Sequence, residues 1–533
     1  MKSFSNSNRK NGRILAMLTA IATAATLTAV CAQPASANTD SWVGATANWN
    51  VATDWSEGYL PGSQSQTGYT YPAGPWDDVV INNGGSVTIN TNENSGYPSG
   101  LNLRDFNLND GGESGHVGYT AGSSLTVATG GYLSFTPNQI NGGSGAGVAN
   151  GYDATINITG GELLGFGGTT LGDGIGWAGG VQNQVGTGTL NVSAGLFGTS
   201  GSVDSGATSS GLTVGNQSNG VVNLSGTGTI NTGEYGAISL GAGTPASGFS
   251  SYGTGIFTQT GGTLDNGRNF IIGGNATGEY NLSAGTAVVG TNNGTFMIGQ
   301  NASGTFTMTG GTLTSNNTMQ VGGGTGAGTA TISGGSLALP NLLVGNSNAT
   351  GTGKLVISGS GSTGINISVN AGGSPMTSYS NGTLDFQIGS GGVTPITAVS
   401  TATGDGRCLI NLSGTLELDL LGGFTPTHGQ TFALVTTNVT AGDSNGNFGI
   451  ITANETYNNG FGSVTNAGLN LDPTDAANWS WAVDPIVSGG NTTGYELVAT
   501  YIGQPTIPEP ATLGLMAVAG AGLLLIGRRR KPA

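Results

Sequence analysis

The sequence predicts an all-β protein: an elongated right-handed parallel β-solenoid, or β-helix, with a cap at each end and a single C-terminal transmembrane helix. Three observations support this fold class. Glycine supplies 102 of the 533 residues while only 7% are charged, a glycine-centred unit recurs along the chain, and apolar residues alternate with Thr, Ser or Asn within each unit. A chain of this length exceeds one ordinary compact core, so an elongated repeat or several domains is expected.

The repeated unit is clearest between residues 256 and 362. Its copies read IFTQTGGTL, EYNLSAGTAV, TFTMTGGTL, TATISGGSL and KLVISGSGS. Glycines at the turn recur at Gly262, Gly285, Gly311 and Gly335, with spacings of 23, 26 and 24 residues. A second element, such as MIGQNASG at 297–304, precedes most copies, and looser versions such as TINITGGEL begin at Thr155. Units of this length are typical of one solenoid rung.

Alternation within a unit predicts which side chains face inward. Phe306 and Met308 are separated by Thr307, and Ile332 lies between Thr331 and Ser333. On a strand, this period places the apolar residues on one face and the polar residues on the other. Glycine and Asn suit corners that need positive φ. The units resemble the autotransporter-associated β-strand repeats of secreted bacterial proteins.

The N-terminus predicts a secretory signal peptide over residues 1–37. Basic residues precede the apolar stretch Ile14–Val30, and Ala35 and Ala37 provide small residues at the spacing that signal peptidase cleaves. A retained membrane anchor is the alternative. After cleavage Cys408 is the only cysteine left, so no internal disulfide can form.

The C-terminus predicts a membrane segment with a defined orientation. Its apolar run Ala511–Ile526 has 16 residues, close to the lower limit of about 17 for a spanning helix. Basic residues follow at once, which favours a cytoplasmic tail and an external body. Pro508 and Pro510 keep the preceding segment extended and accessible.

These features together resemble the PEP-CTERM sorting signal, which an exosortase, a membrane-embedded cysteine-type transpeptidase, recognises and processes. The resemblance covers about the last 27 residues. It implies a recognition motif and a cytoplasmic stop, formed respectively by Pro508, Glu509 and Pro510 and by Arg528, Arg529 and Arg530. It also implies export through the inner membrane, anchoring by the helix, and a cell-surface or extracellular location after processing. A permanent tail anchor is the alternative.

The chain therefore divides into five predicted segments. They are a signal peptide at 1–37, a Trp-rich cap with the first strands at 38–110, solenoid repeats at 111–370, a C-terminal β-module at 371–503, and the sorting signal at 504–533 with its helix at 510–527. Four of seven tryptophans lie between residues 41 and 90. They are expected to pack over the first rung, with stacking on sugars as the alternative.

Charge and residue types limit the function classes. The 27 acidic residues all follow residue 39, and only Arg104, Arg268, Lys354 and Arg407 oppose them before the tail, an excess of 23 negative charges. Nucleic acid is therefore an unexpected partner. His116 and His428 are far apart, and no spacing indicates a catalytic, metal or cofactor site.

The sequence thus predicts a non-enzymatic structural or adhesive protein of the cell surface or extracellular matrix. Its expected partners are signal peptidase, exosortase, the membrane before processing, and extracellular polysaccharide. The alternative is a carbohydrate-active lyase or hydrolase on a β-helix scaffold. Three or more carboxylates converging in a groove with one of the four basic residues would favour that enzyme.

Overall fold

A computed structural model describes most of the central body of the chain. The described residues are 38–56, 77–81, 84–92, 103–108, 122–135, 145–148, 153–165, 168–171, 186–199, 211–216, 218–243, 253–347, 350–358, 362–369, 375–400, 409–439, 450–452, 457–458, 463–464 and 469–503. Within these ranges the structure is almost entirely β, and the one helical element is a short 3-10 turn at Ala52–Asp54.

Among the described residues the first sheet contains 14 short strands, and all of its pairings are parallel. In spatial order they are β1 (Asn38–Ser41), β3 (Asp77–Ile81), β5 (Leu103–Leu108), β8 (Gly145–Val148), β10 (Gly168–Leu171), β12 (Leu212–Val214), β15 (Ile238–Leu240), β17 (Phe270–Ile272), β19 (Phe296–Ile298), β21 (Thr318–Val321), β23 (Asn341–Val344), β26 (Met376–Ser378), β29 (Leu409–Asn411) and β32 (Ile450–Thr452).

The second sheet contains the strands that alternate with these along the chain. They are β2 (Thr46–Asn48), β4 (Ser86–Ile89), β6 (Ser123–Val127), β7 (Tyr132–Phe135), β9 (Ala154–Gly165), β11 (Thr187–Thr199), β13 (Asn219–Leu224), β14 (Thr229–Asn231), β16 (Gly255–Asn266), β18 (Gly278–Val289), β20 (Gly304–Ser315), β22 (Gly328–Leu339), β24 (Gly353–Ser358), β25 (Ser362–Val369), β27 (Gly382–Ile388), β28 (Ile396–Ser400), β30 (Gly414–Leu420), β31 (Thr431–Val439), β35 (Leu469–Leu471), β36 (Trp479–Ser488) and β37 (Asn491–Tyr501). A separate hairpin joins β33 (Tyr457–Asn458) to β34 (Ser463–Val464).

Pairing between non-consecutive strands builds the coil. Strand β17 pairs with β19 and β18 pairs with β20, in each case parallel, so one turn of the chain stacks on the next. A short strand of the first sheet and a long, bent strand of the second make up each central rung. This alternation is the arrangement of a parallel β-solenoid. The predicted all-β fold with stacked parallel strands is confirmed. The right-handed sense of the coil and the C-terminal helix remain predictions.

The core follows the predicted alternation. Phe306 and Met308 are fully buried, and Ile332 is 1% exposed between the half-buried Thr331 and Ser333. Aromatic rings pack against one another from rung to rung, with the centroids of Phe257 and Tyr280 5.2 Å apart and their planes tilted by 55°. Burial raises the pKa of Tyr280, and its hydroxyl donates to Gln259 Oε1 at 2.7 Å. The interior is thus a continuous column of apolar side chains with its buried polar atoms paired at this point.

Glycine sets the corners, as the repeat spacing predicts. The turn glycines Gly262, Gly285, Gly311 and Gly335 have φ of 68°, 90°, 76° and 81°. This left-handed region is open to glycine but strained for residues with a Cβ. Each corner bends a long strand. Buried residues alternate with more exposed ones before and after the bend, but the alternation is shifted by one residue across it, so the buried residues of both halves face the core.

A second set of glycines begins the long strands, where the backbones of neighbouring rungs come close. A Cβ at Gly328 would lie 2.2 Å from the carbonyl oxygen of Ile298 and 2.4 Å from the amide nitrogen of Gly322. Both contacts are with backbone, which cannot move without breaking the hydrogen bonds between strands.

We expect Gly328→Ala to lower the free energy of unfolding by roughly 1–3 kcal/mol, measured by urea denaturation. Gly389→Ala is the matched control, since nothing lies within 4 Å of its Cβ position, and equal losses in the two variants would contradict the close approach.

The two ends close the coil differently. Near the N-terminus, Trp42, Trp49 and Trp55 are at most 2% exposed and pack edge to face, with centroids 5.0 and 4.8 Å apart. Their burial favours packing over sugar stacking for these three rings.

At the C-terminal end of the coil, β37 pairs antiparallel with both β31 and β36. In the part of the chain that the structure describes, no helix has the length and apolar character needed to cross a bilayer.

Candidate functional site

The predicted terminal signals lie outside the described residues. This holds for Ala35 and Ala37, for Pro508, Glu509 and Pro510, for Arg528, Arg529 and Arg530, and for the helix at 510–527. Cys408, His116 and Arg407 also lie outside them. Of the remaining singled-out residues, His428 is exposed in a turn, and the Arg268 guanidinium lies 5.2 Å from the Tyr235 ring centroid.

One regular feature of the described surface is an outward row on the second sheet, which we name the Asn/Thr row. Parallel register places its residues opposite one another on successive rungs. In order along the solenoid they are Asn48, Thr88, Thr126, Asn157, Asn191, Asn223, Thr258, Asn281, Thr307 and Thr331. All ten are half-buried or exposed, and none is ionisable.

Side-chain amides bond along part of this row. Asn191 Nδ2 donates to Asn157 Oδ1, and Asn223 Nδ2 donates to Asn191 Oδ1, both at 2.9 Å. Residues two positions further on bond to the preceding rung, since the Ser193 hydroxyl donates to the carbonyl oxygen of Ile158. Both polar side chains of the sequence Asn191-Val192-Ser193 therefore join neighbouring rungs.

The row changes character where it reaches the C-terminal rungs. Thr331 is followed in register by Val356, Asp385 and Glu417. Lys354 reaches across from two positions earlier and contacts both carboxylates, with Nζ 3.0 Å from Asp385 Oδ2 and 2.5 Å from Glu417 Oε2. Two like charges on adjacent strands repel each other, so the ammonium group between them offsets that repulsion.

Asp385 is the most buried member of the charged cluster formed by Lys354, Asp385 and Glu417. Its side chain is 3% exposed, against 28% for Glu417 and 40% for Lys354. Burial raises the pKa of Asp385 above its ordinary value, and the bond to Lys354 opposes this only in part. Burial lowers the pKa of Lys354, but its bonds to Glu417 and Asp385 outweigh that and raise it. Asp385 Oδ1 is buried with no hydrogen-bond partner among the described residues.

Two further carboxylates, those of Asp475 and Asp419, lie near the charged cluster and have other roles. Asp475 Oδ2 accepts the backbone N–H of Leu418 at 2.9 Å, just beyond the point where β35 stops pairing with β30. The Asp475 carboxylate thus accepts a hydrogen bond that a longer β35 would have accepted with a backbone carbonyl group. Asp419 is exposed, and its charge acts on Asp385 at longer range. Among the described residues, no group of His, Cys, Asp and Glu side chains is arranged to hold a metal ion.

The cluster meets only part of the condition that would favour an enzyme. Two carboxylates converge directly on one of the four basic residues. Lys354 bonds to both of them, so its ammonium group is paired within the protein. Sequence reasoning missed this grouping, although aligning the repeated Thr-Leu pairs before Asp385 and Glu417 with the Lys354 strand would have revealed the register.

Removing the central ammonium tests the cluster. We expect Lys354→Met to leave the Asp385 carboxylate buried without a partner and to lower the free energy of unfolding by roughly 1–3 kcal/mol, measured by urea denaturation at pH 7. Replacing a buried ion pair with apolar residues is often neutral or stabilising. The double variant Lys354→Met with Asp385→Leu should therefore regain stability. A double variant no more stable than the single one would show that Asp385 is not the group left unsatisfied.

Comparison with known protein families identifies the C-terminal segment. Residues 506–531 match the PEP-CTERM protein-sorting motif. The chain carries a PEP-CTERM sorting signal. The predicted resemblance to the PEP-CTERM sorting signal is thereby confirmed, and the match spans the predicted recognition and stop residues. Neither the curated proteins nor the solved structures compared with the chain include a match.

A PEP-CTERM motif implies export, a location in the envelope or at the surface, and processing by an exosortase. The described part of the body is a strand-rich repeat structure, in keeping with the resemblance to autotransporter-associated repeats. The individual roles of Pro508, Glu509, Pro510 and the arginines remain predictions.

Proposed function

We propose that this protein is a non-enzymatic structural or adhesive component of the cell surface or extracellular matrix, associated with extracellular polysaccharide. An exosortase releases it from its temporary membrane anchor. The observation that carries the proposal is the PEP-CTERM motif at the end of a long solenoid. Such a tail directs a protein outward, and the solenoid provides a stiff, extended surface on which repeated weak contacts can add up.

The composition of the surface supports a structural role. Over ten rungs the Asn/Thr row presents hydroxyl and amide groups, which both donate and accept hydrogen bonds. Such groups suit contact with hydrated polymers. The acidic balance of the chain disfavours anionic partners.

A second candidate function rests on the charged cluster. Asp385 combines deep burial with a raised pKa, a combination also found in the general acids of carbohydrate-cleaving enzymes. On this alternative, Asp385 would donate a proton to a glycosidic oxygen and Glu417 would be the second carboxylate. Polysaccharide cleavage that is lost in Asp385→Asn would favour the enzyme, whereas no release of new sugar ends by the native protein would favour the structural role.

Fractionation of native cultures tests the main proposal. Cells that produce the full chain with an internal epitope tag would be separated into cytoplasm, membranes, washed extracellular matrix and medium. We expect most of the protein in the matrix fraction and its release when the matrix polysaccharide is digested. A protein that stays in the membrane fraction in cells with an active exosortase would overturn the proposal.

A further inference from the structure

The charged cluster places an amine, a buried carboxyl group and a second carboxylate in contact. Lys354 lies on β24, Asp385 on β27 and Glu417 on β30, and these strands are successive neighbours in the second sheet. Lys354 Nζ lies 3.0 Å from Asp385 Oδ2 and 2.5 Å from Glu417 Oε2. Amide formation needs this combination of groups: a nucleophile, an acyl group, and a residue that accepts and returns a proton.

The outer face of the sheet is better shielded from water here than in the central rungs. Thr307 and Thr331 in the outward row of β20 and β22 are half-buried. Val356 and Asp385 continue the same row but are only 7% and 2% exposed, so β24 and β27 are buried on both faces. Shielding from water favours an amide over the separate amine and carboxyl group, because the separate charged groups gain more from hydration.

Asp385 has the properties required of the carboxyl group that is attacked. An amine attacks an uncharged carboxylic acid more readily than a carboxylate, and burial raises the pKa of Asp385, which favours the uncharged acid. Its Oδ1 atom is buried with no hydrogen-bond partner among the described residues, so no donor there stabilises the charged form. Joining Asp385 to Lys354 as an amide removes both charges and the cost of burying them.

We propose that Lys354 and Asp385 form an intramolecular isopeptide bond, an amide between Nζ and Cγ, with Glu417 transferring the proton. A proton first passes from the Lys354 ammonium group to the Asp385 carboxylate, which gives a neutral amine and a neutral acid. The Nζ lone pair then attacks Cγ. Glu417 takes a proton from Nζ and delivers it to the departing hydroxyl group, and the Cγ–O bond breaks to release one water molecule. Glu417 ends as the carboxylate that it was at the start.

The bond gives the body a covalent link between rungs. After the predicted signal cleavage Cys408 is the only cysteine left, so a disulfide within the chain cannot serve this purpose. The amide closes a loop from residue 354 to residue 385 across the adjacent strands β24 and β27. Closing a loop restricts the unfolded chain, as a disulfide does. The link suits a structural role, and it removes Asp385 as the proton donor of the enzymatic alternative.

Mass spectrometry of the denatured protein from native cells tests the inference, because an amide survives denaturation whereas an ion pair does not. Once the two termini are identified from their peptides, we expect most molecules to be lighter than their sequence requires by one water molecule. Trypsin cleaves only after free Lys or Arg side chains, so cleavage after Lys354 should be lost. Residues 269–354 and 355–407 should then be recovered as one linked product.

Two variants assign the roles within the cluster. Lys354→Arg keeps the positive charge but removes the amine, and Glu417→Gln keeps the size of the side chain but removes the proton acceptor. We expect both variants to have the full mass that their sequences require. Asp419→Asn is the matched control, because Asp419 is exposed on the same strand as Glu417 and acts on Asp385 only at longer range. This control should lose one water molecule, as the native protein does.

The native protein alone decides whether the bond exists, even where a variant fails to fold. A native protein of full mass that trypsin cleaves after Lys354 would overturn the inference. Linkage of Glu417→Gln to the same extent as the native protein would overturn the role assigned to Glu417.

Discussion

Replacing Glu509 by Ala is expected to leave export intact while blocking removal of the C-terminal segment. The change keeps the apolar run Ala511–Ile526 and the basic residues after it, so insertion and orientation should proceed as in the native protein. Only the sequence presented to the processing enzyme is altered. The protein should therefore accumulate in the membrane fraction at its uncut mass, as measured by immunoblotting of fractionated cells.

A companion variant separates recognition from topology. Replacing Arg528, Arg529, Arg530 and Lys531 by Ser removes the positive charge that keeps the tail in the cytoplasm, so orientation and retention should weaken while the Pro-Glu-Pro segment is untouched. If the tail is instead a permanent anchor, the Glu509→Ala variant and the native protein will show the same mass and the same distribution between the membrane and extracellular fractions.

Replacing Ile332 by Asp is expected to unfold or severely destabilise the central rungs. Ile332 is 1% exposed and stacks between Met308 and Ile357 on neighbouring strands, so the variant buries a charge with no partner, at a cost of several kcal/mol. Each rung is supported only by its neighbours, and the damage should spread to them. Thermal unfolding followed by circular dichroism would measure the effect.

The adjacent residue provides the control for that variant. Thr331 is half-buried and points away from the core, so Thr331→Asp should cost far less than Ile332→Asp. Similar melting temperatures for the two variants would mean that the inward and outward faces of β22 are wrongly assigned.

The parts of the fold that follow from local chemistry were predictable from the sequence. The corner glycines Gly262, Gly285, Gly311 and Gly335 stand out because a positive φ restricts the choice of residue, and the inward residues stand out because a strand alternates strictly. Both signals are repeated in every unit. The handedness of the coil has no such local signal, because it depends on how successive strands connect.

The charged cluster could not be predicted from spacing alone. Lys354, Asp385 and Glu417 are 31 and 32 residues apart in sequence, and only the register of three stacked strands brings them together. A sequence search for paired carboxylates examines near neighbours, whereas a solenoid brings together residues one rung apart. Aligning the rungs first, and searching across the alignment afterwards, recovers such groups.

The Trp-rich segment illustrates a different limit. Composition places an aromatic cluster near the N-terminus but leaves two roles open, packing in the core and stacking on sugars. Both roles use the large apolar faces of the rings, so residue type alone does not separate them. The choice depends on solvent exposure. The rings of Trp42, Trp49 and Trp55 are buried against one another and contribute to the closure of the first rungs.

The central claim is that the tail is a temporary sorting address and that the mature protein functions outside the cell. Mass spectrometry of the C-terminus of protein recovered from the extracellular matrix of native cells tests it most directly. We expect mature molecules to end near Pro508–Pro510 and to lack the segment that follows. Recovery of intact Arg528–Ala533 on most extracellular molecules would contradict the claim.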